Sequence, residues 1–192
     1  EVEVEVAKVV EVEVEKVVEV EKSAEDAIGF VDIGPGEPVH IAYMLATSGA
    51  VEFLGADSLG GIEIAIEEYG QIHGHDVLLT GEDSLCSAEG GQTAATKVAS
   101  DPTILGAIGT NCSSAGTAAS TVISEAGMLM ISSSNTSPKL TDPNETWNPG
   151  YYRTAHNDNF QGAVAAEFAY NELGARTAAA LHDGDPYTES LA

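Results

Sequence analysis

The chain has 192 residues, enough for one ordinary domain or one domain and part of another. Acidic residues outnumber basic ones by 31 to 7, which gives a formal charge of −24 and argues against binding nucleic acid or an anionic membrane surface by charge. No apolar run reaches the length that spans a bilayer, and the two cysteines lack the four-ligand pattern of a structural zinc site.

Residues 1–22 alternate with a period of two, with Val or Lys at every even position and Glu at most odd ones. As a β-strand, this segment has one apolar face and one acidic face. Two interpretations stay open: a disordered spacer between a membrane anchor and the body, or an extended segment that orders when another chain covers its valines. Residues 23–38 end in GPGEP and are predicted to be a linker, because Pro and Gly break both periods.

The body then alternates short apolar strands with helices, which predicts an α/β fold built from parallel βαβ units. The predicted strands are 39–46, 75–83, 104–109, 128–131, 151–155 and 175–181. The predicted helices are 57–69, 88–100, a segment opened by Ser113 and Ser114, and 158–173. After the last strand the chain stops at a turn with no helix to follow, so we expect it to be truncated.

Hydroxyl-rich loops follow two neighbouring predicted strands. Thr110 and Asn111 follow strand 104–109, and SSSNT at 132–136 follows strand 128–131. In an open parallel sheet, ligands bind at the carboxyl ends of the strands, and free N–H groups at a helix start favour an anion such as a carboxylate. Helix capping needs one hydroxyl per helix, and here there are several. The sequence therefore predicts a small-molecule site in these two loops.

The order and spacing of seven short motifs resemble the type I periplasmic binding proteins, specifically the branched-chain amino-acid binding proteins of ABC transporters. These motifs are TSG at 47–49, GADSLGGIEIAIEE at 55–68, GTNCSSAGTAA at 109–119, GMLMISSSNTSPKLT at 127–141, YYRT at 151–154, NDNFQG at 157–162 and HDGDPYTESLA at 182–192. The resemblance implies a parallel sheet flanked by helices in each of two lobes, which close over a ligand. Residues 39–156 would form the first lobe and 157–192 the start of the second, after the tail and linker at 1–38.

The resemblance also implies which residues hold the ligand. The first lobe would bind the carboxylate and ammonium of a free amino acid through Ser113, Ser134 and Thr136, and the second lobe would add Tyr187. A position that packs on the ligand side chain falls near Leu54, where an aromatic residue is common in the family. No cofactor and no metal are implied.

The two cysteines, Cys86 and Cys112, are predicted to form a disulfide. Each follows one of two neighbouring strands of the first lobe at the same end, and an exported protein can keep such a bond. The alternative is a pair of buried free thiols.

The function implied by the resemblance is that of an extracytoplasmic solute-binding protein, periplasmic or on the cell surface as a lipoprotein, which delivers an amino acid to an ABC permease. The alternative is a structural protein whose valine-rich segment 1–22 forms intermolecular β-sheet. An enzyme is not predicted, because the five histidines are scattered and no base–nucleophile pair is evident.

Overall fold

The computed structural model describes residues 28–192. The predicted extended segment 1–22, with its proposed self-assembly, lies outside the described residues. Within them the strands and helices, in chain order, are β1 Val39–Leu45, α1 Glu52–Tyr69, β2 Val77–Asp83, α2 Ala88–Ala99, β3 Ile104–Gly109, α3 Ser113–Glu125, β4 Leu129–Ser132, a 3-10 turn Pro138–Thr141, β5 Tyr151–Arg153, α4 Asp158–Asn171 and α5 Pro186–Leu191.

The strands form one sheet in the order β2-β1-β3-β4-β5, and every neighbouring pair is parallel. The fold class predicted from the sequence is therefore confirmed. Because the strands are parallel, the loops after β1, β3 and β4 all leave the sheet at the same edge. This is the edge at which open α/β sheets bind their ligands.

Helices α2 and α3 cover one face of the sheet and form the main core with it. Met44, Met130 and Ile123 are almost fully buried there, and each such side chain contributes about 1.5–3 kcal/mol of hydrophobic stabilisation. The two helices approach closely because small residues face each other. A Cβ on Gly91 would lie 2.4 Å from the carbonyl oxygen of Ala115, so this crossing tolerates no larger residue at 91.

Helix α1 lies on the opposite face of the sheet, with Ile62 buried. It begins five residues earlier than the pattern at 57–69 predicts. Its first turn rests on the end of β1, where a Cβ on Gly55 would lie 2.0 Å from the Ala46 carbonyl oxygen. Because Gly55 has no side chain, the first turn of α1, which contains Leu54, can approach the end of β1 this closely. No helix among residues 28–192 combines the length and apolarity needed to cross a membrane.

Two predictions about the end of the chain are wrong. Residues 175–181 form no strand, because none of the described strands pairs with them, and Leu181 is 93% exposed. An apolar run becomes a strand only where a neighbour satisfies its backbone groups. The expectation that no helix follows the last turn is also wrong, since Asp185 caps the short helix α5 by accepting the Tyr187 N–H.

Candidate functional site

A cavity of about 480 Å³ opens at the edge of the sheet where β3 and β4 end. The loops after these two strands, the start of α1 and the start of α5 supply its walls. The ligand-binding residues predicted from the sequence all line this cavity: Leu54, Ser113, Ser134, Thr136 and Tyr187. The fold therefore brings together around one cavity residues that lie far apart in the chain.

Asn111, in the loop after β3, ties three elements together beside the cavity. Its Oδ1 accepts the N–H of Ala46 at 2.9 Å, at the end of β1. Its Nδ2 donates to the Leu54 carbonyl at 3.2 Å and to the Ser58 hydroxyl at 3.0 Å, both on α1. Asn111 thus fixes the position of Leu54 relative to the hydroxyl-rich loops.

Helix α3 starts at the cavity wall without a side-chain cap. Its N-cap residue is Cys112, whose sulfur is bonded to Cys86, whereas Ser87 and Asn157 cap α2 and α4 with their side chains. Gly116 donates the first α-helical bond of the turn, to the Cys112 carbonyl at 2.9 Å. The N–H groups before Gly116 have no helical acceptor, and such groups attract an anion.

The hydroxyl of Ser132 holds the loop after β4, the second loop (residues 133–137), to the loop after β3. This buried hydroxyl donates to the Thr110 carbonyl at 2.7 Å and accepts the N–H groups of Ser134 and Asn135 at 3.2 and 2.9 Å. Ser134 in turn donates its own hydroxyl proton to the Asn111 carbonyl at 2.8 Å. The two loops therefore behave as one hydrogen-bonded unit.

Ser113 and Ser134 have opposite hydrogen-bonding capacity left for a ligand. The Ser113 oxygen accepts the N–H groups of Thr136 and Ser137 at 3.3 and 3.2 Å, so its own proton remains to be donated. Ser134 has already donated its proton to Asn111, so its oxygen remains an acceptor. A carboxylate suits Ser113 and an ammonium group suits Ser134.

The wall formed by the start of α5 is acidic. Asp183 and Asp185 both line the cavity, and Asp183 accepts hydrogen bonds from the Thr188 hydroxyl and the Asp185 N–H. These two bonds hold the pKa of Asp183 below its usual value, so it is ionised at neutral pH. Neither Lys nor Arg occurs among the described residues that line the cavity.

Two contacts join α5 to residues 137–139, at the end of the second loop and the start of the 3-10 turn. The hydroxyls of Ser137 and Ser190 lie 3.3 Å apart, and the Lys139 ammonium lies 3.3 Å from the Glu189 carboxylate. Both side chains of the ion pair are exposed, so the pair adds at most about 1 kcal/mol.

The predicted disulfide is confirmed, since Cys86 is bonded to Cys112 with a Cα–Cα distance of 5.2 Å. Both cysteines line the cavity. Leu85 and Cys86 have φ values of 51° and 50°, a backbone conformation unusual for residues other than glycine. The bond joins the turn after β2 to the start of α3, which follows β3. These two strands are not neighbours as predicted, because β1 lies between them.

A family model described as periplasmic binding protein matches residues 38–192. The Leu/Ile/Val-binding protein of Escherichia coli K12 is 31% identical over 172 residues, which are 86% of this chain and 45% of that protein. The chain belongs to the type I periplasmic binding proteins of the branched-chain amino-acid family.

Two further comparisons agree with this assignment. An amino acid binding protein of Pseudomonas aeruginosa is 31% identical over 127 residues, 66% of this chain and 33% of that protein. The crystal structure of a leucine-binding protein from Thermotoga maritima superposes with a TM-score of 0.66 at 29% identity, over 71% of this chain and 38% of that one. The chain thus spans less than half the length of these relatives.

In this periplasmic binding protein, the structural roles of three side chains around the site were not predicted from the sequence, namely those of Asn111, Ser132 and Arg153. Arg153, on β5, donates to the carbonyl oxygens of Asn135 and Ser137 behind the second loop. Such roles depend on bonds to backbone groups far away in the sequence, and residue type alone does not signal them. The nearest signal was that Arg153 is one of only four basic residues after position 22.

Asp158 is a buried carboxylate behind the second loop. Neither of its oxygens has a hydrogen-bond partner among the described residues. Burial raises its pKa, and the nearby polar side chain of Thr136 and the charges of His156 and Arg153 offset this only in part. Among residues 28–192, no three His, Cys, Asp or Glu side chains are grouped so that they could hold a metal ion.

Proposed function

We propose that this chain is part of an extracytoplasmic solute-binding protein of an ABC transporter and that its cavity binds a free amino acid. One observation carries the proposal. The Ser113 hydroxyl with its free proton and the uncapped start of α3 lie in the same cavity as the Ser134 hydroxyl with its free lone pairs, and none of the described lining residues is cationic. This arrangement suits a zwitterion better than a simple anion.

The ligand carboxylate would lie at the start of α3. There it would accept the Ser113 hydroxyl proton and the unbonded N–H groups of the first helical turn. Hydrogen bonds to a charged partner contribute about 1.5–3 kcal/mol each, so two or three of them suffice to hold the carboxylate without Arg or Lys.

The ligand ammonium would lie on the acceptor side of the cavity. Ser134 keeps its lone pairs free after donating to Asn111, and Thr136 lines the same wall. The ionised Asp183 lines the opposite wall and lowers the electrostatic energy of a cation in the cavity.

The ligand side chain would meet apolar groups. Leu54, Val51 and the ring of Tyr187 line the cavity beside the polar loops. These residues fit a branched-chain or similarly small side chain, in keeping with the Leu/Ile/Val-binding and leucine-binding relatives. We propose residues 39–156 as the first lobe and 157–192 as the start of the second, with the cavity at their junction.

The proposed partner of the loaded protein is an ABC permease, as its family membership suggests, and its proposed location is outside the cytoplasm, anchored as a lipoprotein. The valine-rich segment 1–22 would then be the spacer between the anchor and the binding domain.

The zwitterion assignment can be tested by NMR titration, which detects even millimolar binding. L-Leucine should shift the amide resonances of Ser113, Ser134 and Thr136. Leucinamide lacks the carboxylate and 4-methylpentanoate lacks the ammonium group, so each should bind at least about tenfold more weakly.

A matched pair of threonine variants assigns the effect to the cavity. Thr136→Val should weaken leucine binding, whereas Thr96→Val, on the outer surface of α2, should not. If no free amino acid shifts the three cavity amides at saturating concentration, the proposed function is wrong. Equal binding of leucine and leucinamide would show that the carboxylate is not held as proposed.

A further inference from the structure

Arg153 supports the second loop of the cavity from behind. It lies on β5 opposite Ser132, the last residue of β4, directly beneath the loop. Its Nη1 donates to the carbonyl oxygens of Asn135 at 3.3 Å and Ser137 at 2.9 Å. Its Nη2 donates to the Thr141 hydroxyl at 2.6 Å, at the end of the 3-10 turn.

The carbonyl of Thr136, which lies between those of Asn135 and Ser137 in the chain, also accepts a hydrogen bond. The backbone N–H of Asp158, the first residue of α4, donates to the Thr136 carbonyl at 2.9 Å. Three successive carbonyls, at 135, 136 and 137, are therefore bonded from the β5–α4 side. On the other side of the loop, the N–H groups of Thr136 and Ser137 donate to the Ser113 hydroxyl.

These bonds couple Arg153 to the cavity through a short path. Arg153 sets the position of the peptide groups at 135–137, and two N–H groups of the same segment set the position of the Ser113 oxygen. A displaced loop would move the acceptor and donor hydroxyls relative to each other. Ligand groups held at both points are sensitive to errors of about 1 Å.

Arg153 differs from the other Lys and Arg side chains in residues 28–192 in that it bonds the loop at the cavity. Lys97 pairs with Glu82, and Lys139 pairs with Glu189. Arg176 stacks on the Tyr170 ring and donates to the carbonyl oxygens of Tyr170 and Ala175, which do not line the cavity. Within this part of the chain Arg153 has no carboxylate within 4.0 Å, although acidic residues are abundant. Its planar fork places Nη1 on the two carbonyls and Nη2 on the Thr141 hydroxyl, and the single ammonium of a lysine cannot span these points.

We propose that Arg153 is a positioning residue of the ligand site: it fixes the loop at 134–137 so that Ser113, Ser134 and Thr136 meet the ligand in one geometry. The inference rests on the proposed function for its effect on ligand affinity. Its effect on the loop is independent of any ligand.

The test compares Arg153→Lys with Arg176→Lys, which changes the other arginine of the chain at a site that does not line the cavity. Amide hydrogen exchange is measured without ligand at Thr136 and Ser137, with Met130 of β4 as the core reference. Arg153→Lys should speed exchange at Thr136 and Ser137 at least about tenfold and leave Met130 unchanged. Arg176→Lys should change none of the three.

The affinity for L-leucine is measured on the same proteins and should fall about tenfold in Arg153→Lys only. Unchanged exchange at Thr136 and Ser137 would overturn the inference. An equal rise at Met130 would also overturn it, because that result indicates general loss of stability. If the parent chain binds no amino acid but the local exchange effect is present, the proposed function fails and the loop-positioning role stands.

Discussion

Neighbouring serines at the start of α3 offer a matched test of what the Ser113 hydroxyl does. Ser113 accepts two backbone N–H groups of the second loop and is 2% exposed. The hydroxyl oxygen of Ser114 is buried as well, but has no hydrogen-bond partner among the described residues. Replacing either residue with Ala removes one oxygen from the same turn of the same helix.

The two substitutions should therefore differ in sign or size. Ser113→Ala leaves the N–H groups of Thr136 and Ser137 without their acceptor, and each stranded buried group costs about 1–3 kcal/mol. Both bonds exceed 3.1 Å and share one oxygen, so we expect the low end, about 2 kcal/mol of unfolding free energy in total. For a chain of this size that lowers Tm by about 4–8 °C. Ser114→Ala should be neutral or slightly stabilising, since it removes an unpaired polar atom.

Urea denaturation of both variants measures the stability, and titration with L-leucine measures the affinity. Ser113→Ala should also lose about tenfold to a hundredfold in affinity, because it removes the proposed donor to the carboxylate. The reasoning is refuted if the two variants have the same stability. A loss of stability without a loss of affinity would show that Ser113 only ties the two loops together.

Three further predictions concern stability. Reducing the Cys86–Cys112 bond, which closes a loop of 26 positions, should cost about 3.5 kcal/mol in the chain-entropy model; a loss of unfolding free energy, measured by urea denaturation, below a third of that would contradict it. Gly91→Ala should destabilise by about 1–3 kcal/mol through overpacking, whereas Gly60→Ala, where a Cβ meets nothing within 4 Å, should stabilise by about 0.5–1 kcal/mol; equal signs would refute the packing argument. Asp158 has a raised pKa in the folded state, so its contribution to stability is present at low pH and is lost as the pH rises above about 4. Relative to the parent, Asp158→Asn should therefore gain stability between about pH 4 and pH 7. A stability difference between variant and parent that does not change with pH would oppose this.

The sheet was predictable because its strands are apolar on both faces and end at turn-forming residues. Strand β3, at 104–109, has the predicted bounds, and β4 is shifted by one residue. The two hydroxyl-rich loops were predictable for the same reason, since parallel strands place the loops that follow them at one edge. The segment 175–181 has a similar apolar composition, yet it is not a strand, because strand formation needs a partner that composition does not reveal.

The different hydrogen-bonding roles of the three serine hydroxyls were not predictable from the sequence. Ser113, Ser132 and Ser134 are the same residue type in similar loops, so the sequence does not distinguish them. They differ in what each has already bonded: Ser132 closes the two loops, Ser113 accepts two N–H groups, and Ser134 donates to a carbonyl. Those partners are 22 to 24 positions away in the chain, so only the fold assigns them.

The charge of the chain bears on which ligands such a cavity selects. A protein with a formal charge of −24 repels an approaching organic anion, whereas a zwitterion carries no net charge and is not repelled at long range. Inside the cavity, the carboxylate would meet neutral donors at the start of α3, and the ammonium would meet a region that contains the ionised Asp183. An Arg or Lys in the lining would strengthen the hold on the carboxylate but would also admit simple carboxylic acids and attract the neighbouring acidic side chains. Holding the carboxylate with dipoles would keep the ammonium necessary for binding, and by this property the cavity would distinguish a free amino acid from the corresponding acid.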